Sequence, residues 1–187
     1  MGYSLIYQGG IDRQLREALA TIYRASVPSL SFVAPHVIAH RHRINVHQAE
    51  GRRIRLGVVS AFLYGHTVGL LLQGVLTQLD RATFEIYLLR TSRGEDDVTQ
   101  HLRSRADHDI LLPSSVVAAQ HTIAALALDI ILFSEIGMDP ATYFLAFAQL
   151  ALRSAVFWGH AVTSGISTVD YAITSPLFGS HQTILTE

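Results

Sequence analysis

From Ile54 onward, short β-branched or apolar runs alternate with longer helical stretches, and this alternation narrows the fold more than any other feature of the chain. The runs cover residues 54–60, 84–89, 110–112, 130–133, 154–158 and 171–173. Between the first five, helical spacing covers 67–79, 95–105, 116–126 and 140–150. Strands separated by crossovers of a dozen or more residues pair in parallel, with the connecting helices laid on the sheet. The expected class is therefore α/β: a Rossmann-like parallel sheet with helices on both faces, spanning 54–175. A chain of 187 residues that is 49% hydrophobic has material for one sizeable core. Upstream, Leu15, Leu19 and Ile22 recur at helical spacing between Arg13, Arg16 and Glu17, so a helix over 12–23 is expected to end before Pro28. Residues 29–53 mix Pro35, four histidines and several arginines without a period, and read as a connector with a short helix over 35–43. Residues 1–53 thus form an amino-terminal helix and connector. Residues 176–187, with Pro176 and Gly179, form an irregular or truncated tail.

Charge and composition remove several function classes. A formal charge of -1 and a sequence pI of about 6.8 give no field suited to nucleic acid or an anionic membrane, although Arg41, Arg43, Arg52, Arg53 and Arg55 make a local basic patch. No cysteine is present, so thiolate catalysis, thiolate metal ligation and disulfides are excluded. The most apolar segment, 123–133, is interrupted by Asp129 and falls short of the roughly 20 residues that span a bilayer. The amino terminus lacks the basic start and long apolar stretch of a secretory signal, so a cytoplasmic or nuclear location is expected.

In open parallel sheets, ligands gather at the carboxyl ends of the strands. Two loops stand out there. The first is 61–69, where Gly65 permits a tight turn, His66 sits just before a helix and Thr67 suits an N-cap. Backbone N–H groups and an imidazole converging on an anion or hydroxyl is one reading; a plain turn with a capping threonine and a solvated histidine is the other. The G-x-G-x-x-G spacing is absent, so dinucleotide binding is not supported. The second loop follows Phe157 and Trp158, where an apolar run breaks into Gly159, His160 and then Thr163, Ser164 and Gly165. Those hydroxyls suit a sugar or phosphate, or else Thr163 or Ser164 caps a following helix.

Other polar residues point elsewhere. His36, His40, His42 and His47 lack the H-E-x-x-H glutamate, since Val37 follows His36, and no metal is expected. Asp107, Asp109 and Asp129 fall at the amino edge of the sheet, away from ligands. Glu135, Gly137, Met138 and Asp139 follow the fourth strand on the ligand side, with Asp139 before Pro140 patterned as an N-cap. Ser134 lies in Phe-Ser-Glu rather than a G-x-S-x-G elbow.

Taken in order, several blocks resemble the first half of the catalytic region of O-linked N-acetylglucosamine transferases and the related SPINDLY proteins. They are Tyr7-Gln8 with Asp12 to Arg16, Pro28-Ser29-Leu30, Ala34-Pro35-His36, Ile54 to Ser60, Gly65 to Gly69 and Phe84-Glu85-Ile86. Glu135 to Pro140, Tyr143 to Phe147, and Trp158-Gly159-His160 through Asp170-Tyr171 complete the set. The resemblance covers roughly residues 5 to 175, and many blocks in one order are more specific than any single motif.

It implies the amino-terminal half of a two-domain GT-B type glycosyltransferase that transfers N-acetylglucosamine from a UDP-sugar to Ser or Thr of acceptor proteins, with inversion and without a metal or other cofactor. It also implies that this chain is incomplete alone, lacking a carboxyl-terminal nucleotide-binding half, and that a helical repeat array ends near the first helix. His66 matches the family's active-site histidine, for which a contact role is preferred to that of base. Gly65, Thr67, Trp158, Gly159, His160, Thr163, Ser164 and Gly165 match substrate-binding positions. Departures are Ala161 and Leu152 where relatives have proline, and Glu135 where close relatives have aspartate. Protein O-fucosyl transfer of the SPINDLY type, or a non-catalytic binding remnant, are the alternatives.

Overall fold

The computed structural model describes residues 12–40, 51–158 and 163–175. Its centre is a six-stranded sheet in which every paired strand is parallel: β1 (Ile54–Ser60), β2 (Phe84–Arg90), β3 (His108–Leu111), β4 (Leu128–Phe133), β5 (Ala151–Val156) and β6 (Tyr171–Ala172). The spatial order is β3-β2-β1-β4-β5-β6. The chain steps outward from β1 to β3, then returns to the other side of β1 and steps outward again. The order therefore reverses between β1 and β4, and a crevice opens above their carboxyl ends.

Alternation along the central strands sends side chains to two cores. Leu56, Val58, Ile86, Leu88 and Leu132 face α3 (Thr67–Gln78) and α4 (Asp97–Ser104), meeting Val68, Leu72, Leu76 and Leu102. Val59, Tyr87, Leu89, Ile131 and Phe133 face the other way, toward α1 (Asp12–Ser26), α5 (Val116–Ala125) and α6 (Pro140–Leu145). Burial on both sides explains why the central strands are almost continuously apolar. Gly57 breaks that run because a Cβ there would lie 2.5 Å from Leu128 Cδ1 and 3.0 Å from Leu89 Cδ1. The helices are capped as their sequences suggest: Asp96 and Thr99 form a capping box on α4, Ser115 caps α5, and Asp139 caps α6 with Pro140 following.

Three expectations shift. The helix expected to run to residue 150 stops at Leu145, and β5 begins at Ala151 rather than at 154. The cause is Gln149, whose N–H donates to the Phe32 carbonyl and whose carbonyl accepts from Ala34, so residues 146–150 join the upstream segment instead of continuing a helix. The upstream segment is also part of the main core. Ala20, Leu30 and Ala34 are buried, Tyr23 packs edge-on against Tyr143, Phe144 and Phe147, and Arg24 donates to the Phe147 carbonyl and Thr168 Oγ1. The division drawn at residue 53 is not a break in packing among the described residues. The short helix α2 spans Pro35–Ala39 and ends at its C-cap His40, short of the expected residue 43; residues 41–43 and the tail 176–187 lie outside the described residues.

Candidate functional site

The loop from β1 to α3 crosses the crevice at the switch point and is pressed onto the first turn of its own helix. A Cβ on Gly69 would lie 2.1 Å from the Tyr64 carbonyl oxygen and 2.7 Å from that of Phe62, so only glycine allows this approach. Tyr64 in turn lies over Gly94, where a Cβ would come within 2.6 Å of its ring. Gly65 is equally committed: its N–H donates to Asp96 Oδ2 at 2.6 Å, and a Cβ would meet that same oxygen. One carboxylate thus caps α4 and ties down the loop before α3, and these bonds hold Asp96 below the usual carboxylate range.

His66, rather than the expected Thr67, is the N-cap of α3; Thr67 is the first helical residue. The imidazole Nδ1 accepts from the Val68 N–H at 3.2 Å, in the role an asparagine oxygen plays at such a position. The ring is half-buried and stacks on Phe62, with centroids 4.4 Å apart and planes 24° from parallel, while Tyr64 stands edge-on 6.1 Å away. With Nδ1 occupied as an acceptor, the neutral ring carries its hydrogen on Nε2. Chemically this is a fixed N–H donor, and Nε2 has no lone pair to offer as a base unless the cap bond is given up.

Beneath the loop lies a carboxyl that no motif marked as functional. Glu135 leaves β4 into the switch point and is fully buried. Its Oε1 accepts from the Ala61 N–H at 2.9 Å, and its Oε2 lies 2.8 Å from Ser60 Oγ, which itself accepts from the Phe62 N–H at 3.0 Å. Burial, reinforced weakly by the charge of Asp139, pushes the carboxyl up to about 8 against the opposing bonds from Ala61 and Ser60. The signal present in the sequence is a lone acid in Phe-Ser-Glu-Ile-Gly, following a strand with both faces buried.

The start of the second loop, Trp158, lies on the same rim. Phe157 is buried in the same core cluster as Leu63 and Val68, Trp158 stacks on it at 4.1 Å, and Phe62 packs on that cluster. Gly159 and His160 lie outside the described residues. Thr163 Oγ1 accepts from the Gly165 N–H and Ser164 Oγ from the Ile166 N–H, so both hydroxyls close tight turns, but no helix follows for them to cap among the described residues. Gly165, at φ +65, touches α1: a Cβ would lie 2.6 Å from the Arg16 backbone. The structure therefore brings Gly65, His66 and Thr67 to the switch point with Trp158 on the same rim. It turns Gly165 toward α1 instead.

Asp107 and Asp129 lie toward the amino ends of the strands as expected, whereas Asp109 falls inside β3, level with Leu88, because that strand begins at His108 rather than at residue 110. Asp107 pairs with Arg53 and Arg81, Asp109 with Arg90 and Arg103, and Asp129 with Arg52. His36 Nε2 donates to the Leu128 carbonyl and His40 Nδ1 to that of His36; burial lowers His36 below the ordinary imidazole range. His42 and His47 lie outside the described residues. Among the described residues, no helix is long and apolar enough to cross a membrane.

No protein-family profile matches the chain, and no curated protein matches it. Among solved structures, it is similar to the O-GlcNAc transferase of Thermobaculum terrenum, determined as a lysine-to-methionine mutant. The TM-score is 0.67 at 22% identity, over 86% of this chain and 30% of that one. The chain therefore spans less than a third of that enzyme's length. The six-stranded parallel layer is a Rossmann-like fold of the kind found in that glycosyltransferase.

Proposed function

We propose that this chain forms one wall of a sugar-transfer crevice, in a protein that moves N-acetylglucosamine from a UDP-sugar to Ser or Thr hydroxyls of acceptor proteins. The observation that carries this reading is the capped imidazole of His66 at the switch point. In such a transfer the acceptor oxygen bonds to the anomeric carbon as the bond to the departing phosphate breaks, its proton passes to the departing phosphate or to solvent, and negative charge grows on the leaving oxygen. A pre-oriented N–H stabilises developing charge without reorganising during the reaction. His66 serves as that donor through Nε2, beside the hydroxyl of Thr67, and Trp158 and Thr163 lie against the donor sugar. The nucleotide diphosphate is gripped by a second Rossmann half, which supplies the opposite wall. The fold shared with the Thermobaculum enzyme and the ordered sequence blocks support this reading.

A chimera tests it. Residues 12–175 replace the structurally equivalent part of the Thermobaculum enzyme, and transfer to a Ser/Thr peptide is assayed with UDP-N-acetylglucosamine, and with GDP-fucose as the competing donor. Transfer of N-acetylglucosamine is expected, with a loss of roughly 100-fold for His66→Ala. His66→Asn, which keeps both a cap acceptor and an N–H donor, is expected to recover part of it. Robust turnover by the isolated 187 residues, or full activity of the folded His66→Ala chimera, overturns the reading.

A further inference from the structure

We propose that Glu135 is a positioning residue for the loop between β1 and α3: its buried carboxyl clasps Ser60 and Ala61, and its proton occupancy sets the orientation of Phe62 and, through the stacked ring, of His66. The catalytic consequence rests on the function proposed above; the clasp itself does not.

The geometry makes the carboxyl a switch between two bonding patterns. In the ionised state, the Phe62 N–H donates to Ser60 Oγ, the Ser60 hydroxyl donates to Oε2, and the Ala61 N–H donates to Oε1. Every donor then has an acceptor, and the series runs in one direction from loop to carboxylate. In the neutral state, the acid O–H donates to Ser60 Oγ, which already accepts from Phe62. The serine hydrogen is displaced and must seek another acceptor, so the tether on Phe62 weakens. Hydrogen bonding thus favours the anion, whereas burial without a cation favours the acid.

Among the described residues no cation is bonded to the carboxyl: Arg90 of β2 stands level with Ser60 and is buried, but its guanidinium is committed to Asp109. β1 presents Ser60, the loop above presents the Ala61 amide, and the segment after β4 presents Asp139, whose charge opposes ionisation. The titratable residues of the loop are Tyr64 and His66; α3 carries no charged residue, and the exit of β5 carries Phe157 and Trp158. Phe62 is the mechanical link, because its amide is bonded to Ser60 and its ring supports the imidazole.

The test is an NMR pH titration of the full-length, isotope-labelled chain, following the Ala61 and Phe62 amides and the His66 ring from about pH 6.5 to 9.5. All three signals are expected to share an inflection near 8 that disappears in Glu135→Gln, which is isosteric and holds the neutral pattern at every pH. Ser60→Ala is expected to leave the Ala61 amide titrating but to uncouple Phe62 and His66 from it. That split is something a merely structural residue does not produce. The proposal is overturned if the native chain shows no shared inflection, if the inflection survives in Glu135→Gln, or if Ser60→Ala leaves the His66 ring following the Ala61 amide. Failure here leaves chimera transfer untouched, and loss of chimera transfer with the titration intact overturns only the functional reading.

Discussion

At the scale of single residues, the candidate site depends on one glycine more than on any polar group. The Cβ of Gly69→Ala would meet two carbonyl oxygens of the preceding loop, at 2.1 and 2.7 Å, and neither belongs to a flexible side chain that swings away. The loop must lift, carrying Phe62 and Tyr64 with it. We expect a loss of about 2–4 kcal/mol in urea unfolding, from overpacking of this kind. Gly74, on the same helix and with nothing within 4 Å of where a Cβ would stand, is the control: Gly74→Ala is expected to gain roughly 0.5–1 kcal/mol from helix propensity alone. Part of this is legible in the sequence. Gly65 and His66 read as a turn before a helix, but the pattern favours Thr67 as the cap, because a histidine ring nitrogen accepts at that position far less often than a hydroxyl does. The commitment of the Gly65 N–H to Asp96 leaves no local trace, since it joins residues 31 positions apart through folding of the sheet.

At the scale of elements, the first helix is where pattern and packing diverge. Leu15 and Ile22, which define its apolar face in sequence, are exposed, while Ala20 and the ring of Tyr23 make the inward contacts. Tyr23→Ala is therefore expected to cost roughly 3 kcal/mol, because it removes an edge-on contact with three aromatic rings. The loss should appear in one cooperative transition followed by both far-ultraviolet circular dichroism and Trp158 fluorescence. An early, separate unfolding of the helix with an unchanged main transition would contradict integration of α1 with the sheet. The strands are the most legible elements: β1 falls where its apolar run predicts, and β2 differs by one residue at its end. The α6–β5 region is not, because Phe147 and Ala148 are buried by a turn held at Gln149, and burial mimics helical spacing when a turn and a helix face the same core.

At the scale of the whole molecule, the two ends of the sheet carry opposite pH liabilities. At the amino ends, burial alone would raise Asp107, but the Ile86 N–H and the guanidiniums of Arg53 and Arg81 outweigh it and bring the carboxyl down to about 2. Asp129 is lowered in the same way, by Arg52 with the Arg55 N–H, and Asp109, further along the sheet and level with Leu88, is lowered by Arg90 with Arg103. A depressed carboxyl contributes stability that is present above its unfolded value and lost as pH falls through its folded value, so acid weakens this end between about pH 4 and 2. Hydrogen exchange should show where: acid is expected to release the amides of Ile86 and Arg55 first, since their N–H groups are bonded to Asp107 and Asp129. Glu135, at the carboxyl rim, has the reverse sign. Its value is raised, so the stability it contributes is complete below about 4.5 and is lost as pH rises from there through about 8. For the native chain relative to Glu135→Gln, that loss is at most on the order of 5 kcal/mol once the carboxyl is ionised, a ceiling that relaxation of the loop lowers. Stability measured by urea unfolding should therefore fall between about pH 5 and 8 in the native chain and level off above that, because both the folded and the unfolded carboxyl are then ionised. In Glu135→Gln that decline should be absent, with a rise toward neutral pH from His36, whose lowered value makes it costly to charge in the folded chain, while both chains lose stability alike in acid. An equal decline in both chains between pH 5 and 8 would place the liability outside Glu135 and separate the stability of the rim from its clasp.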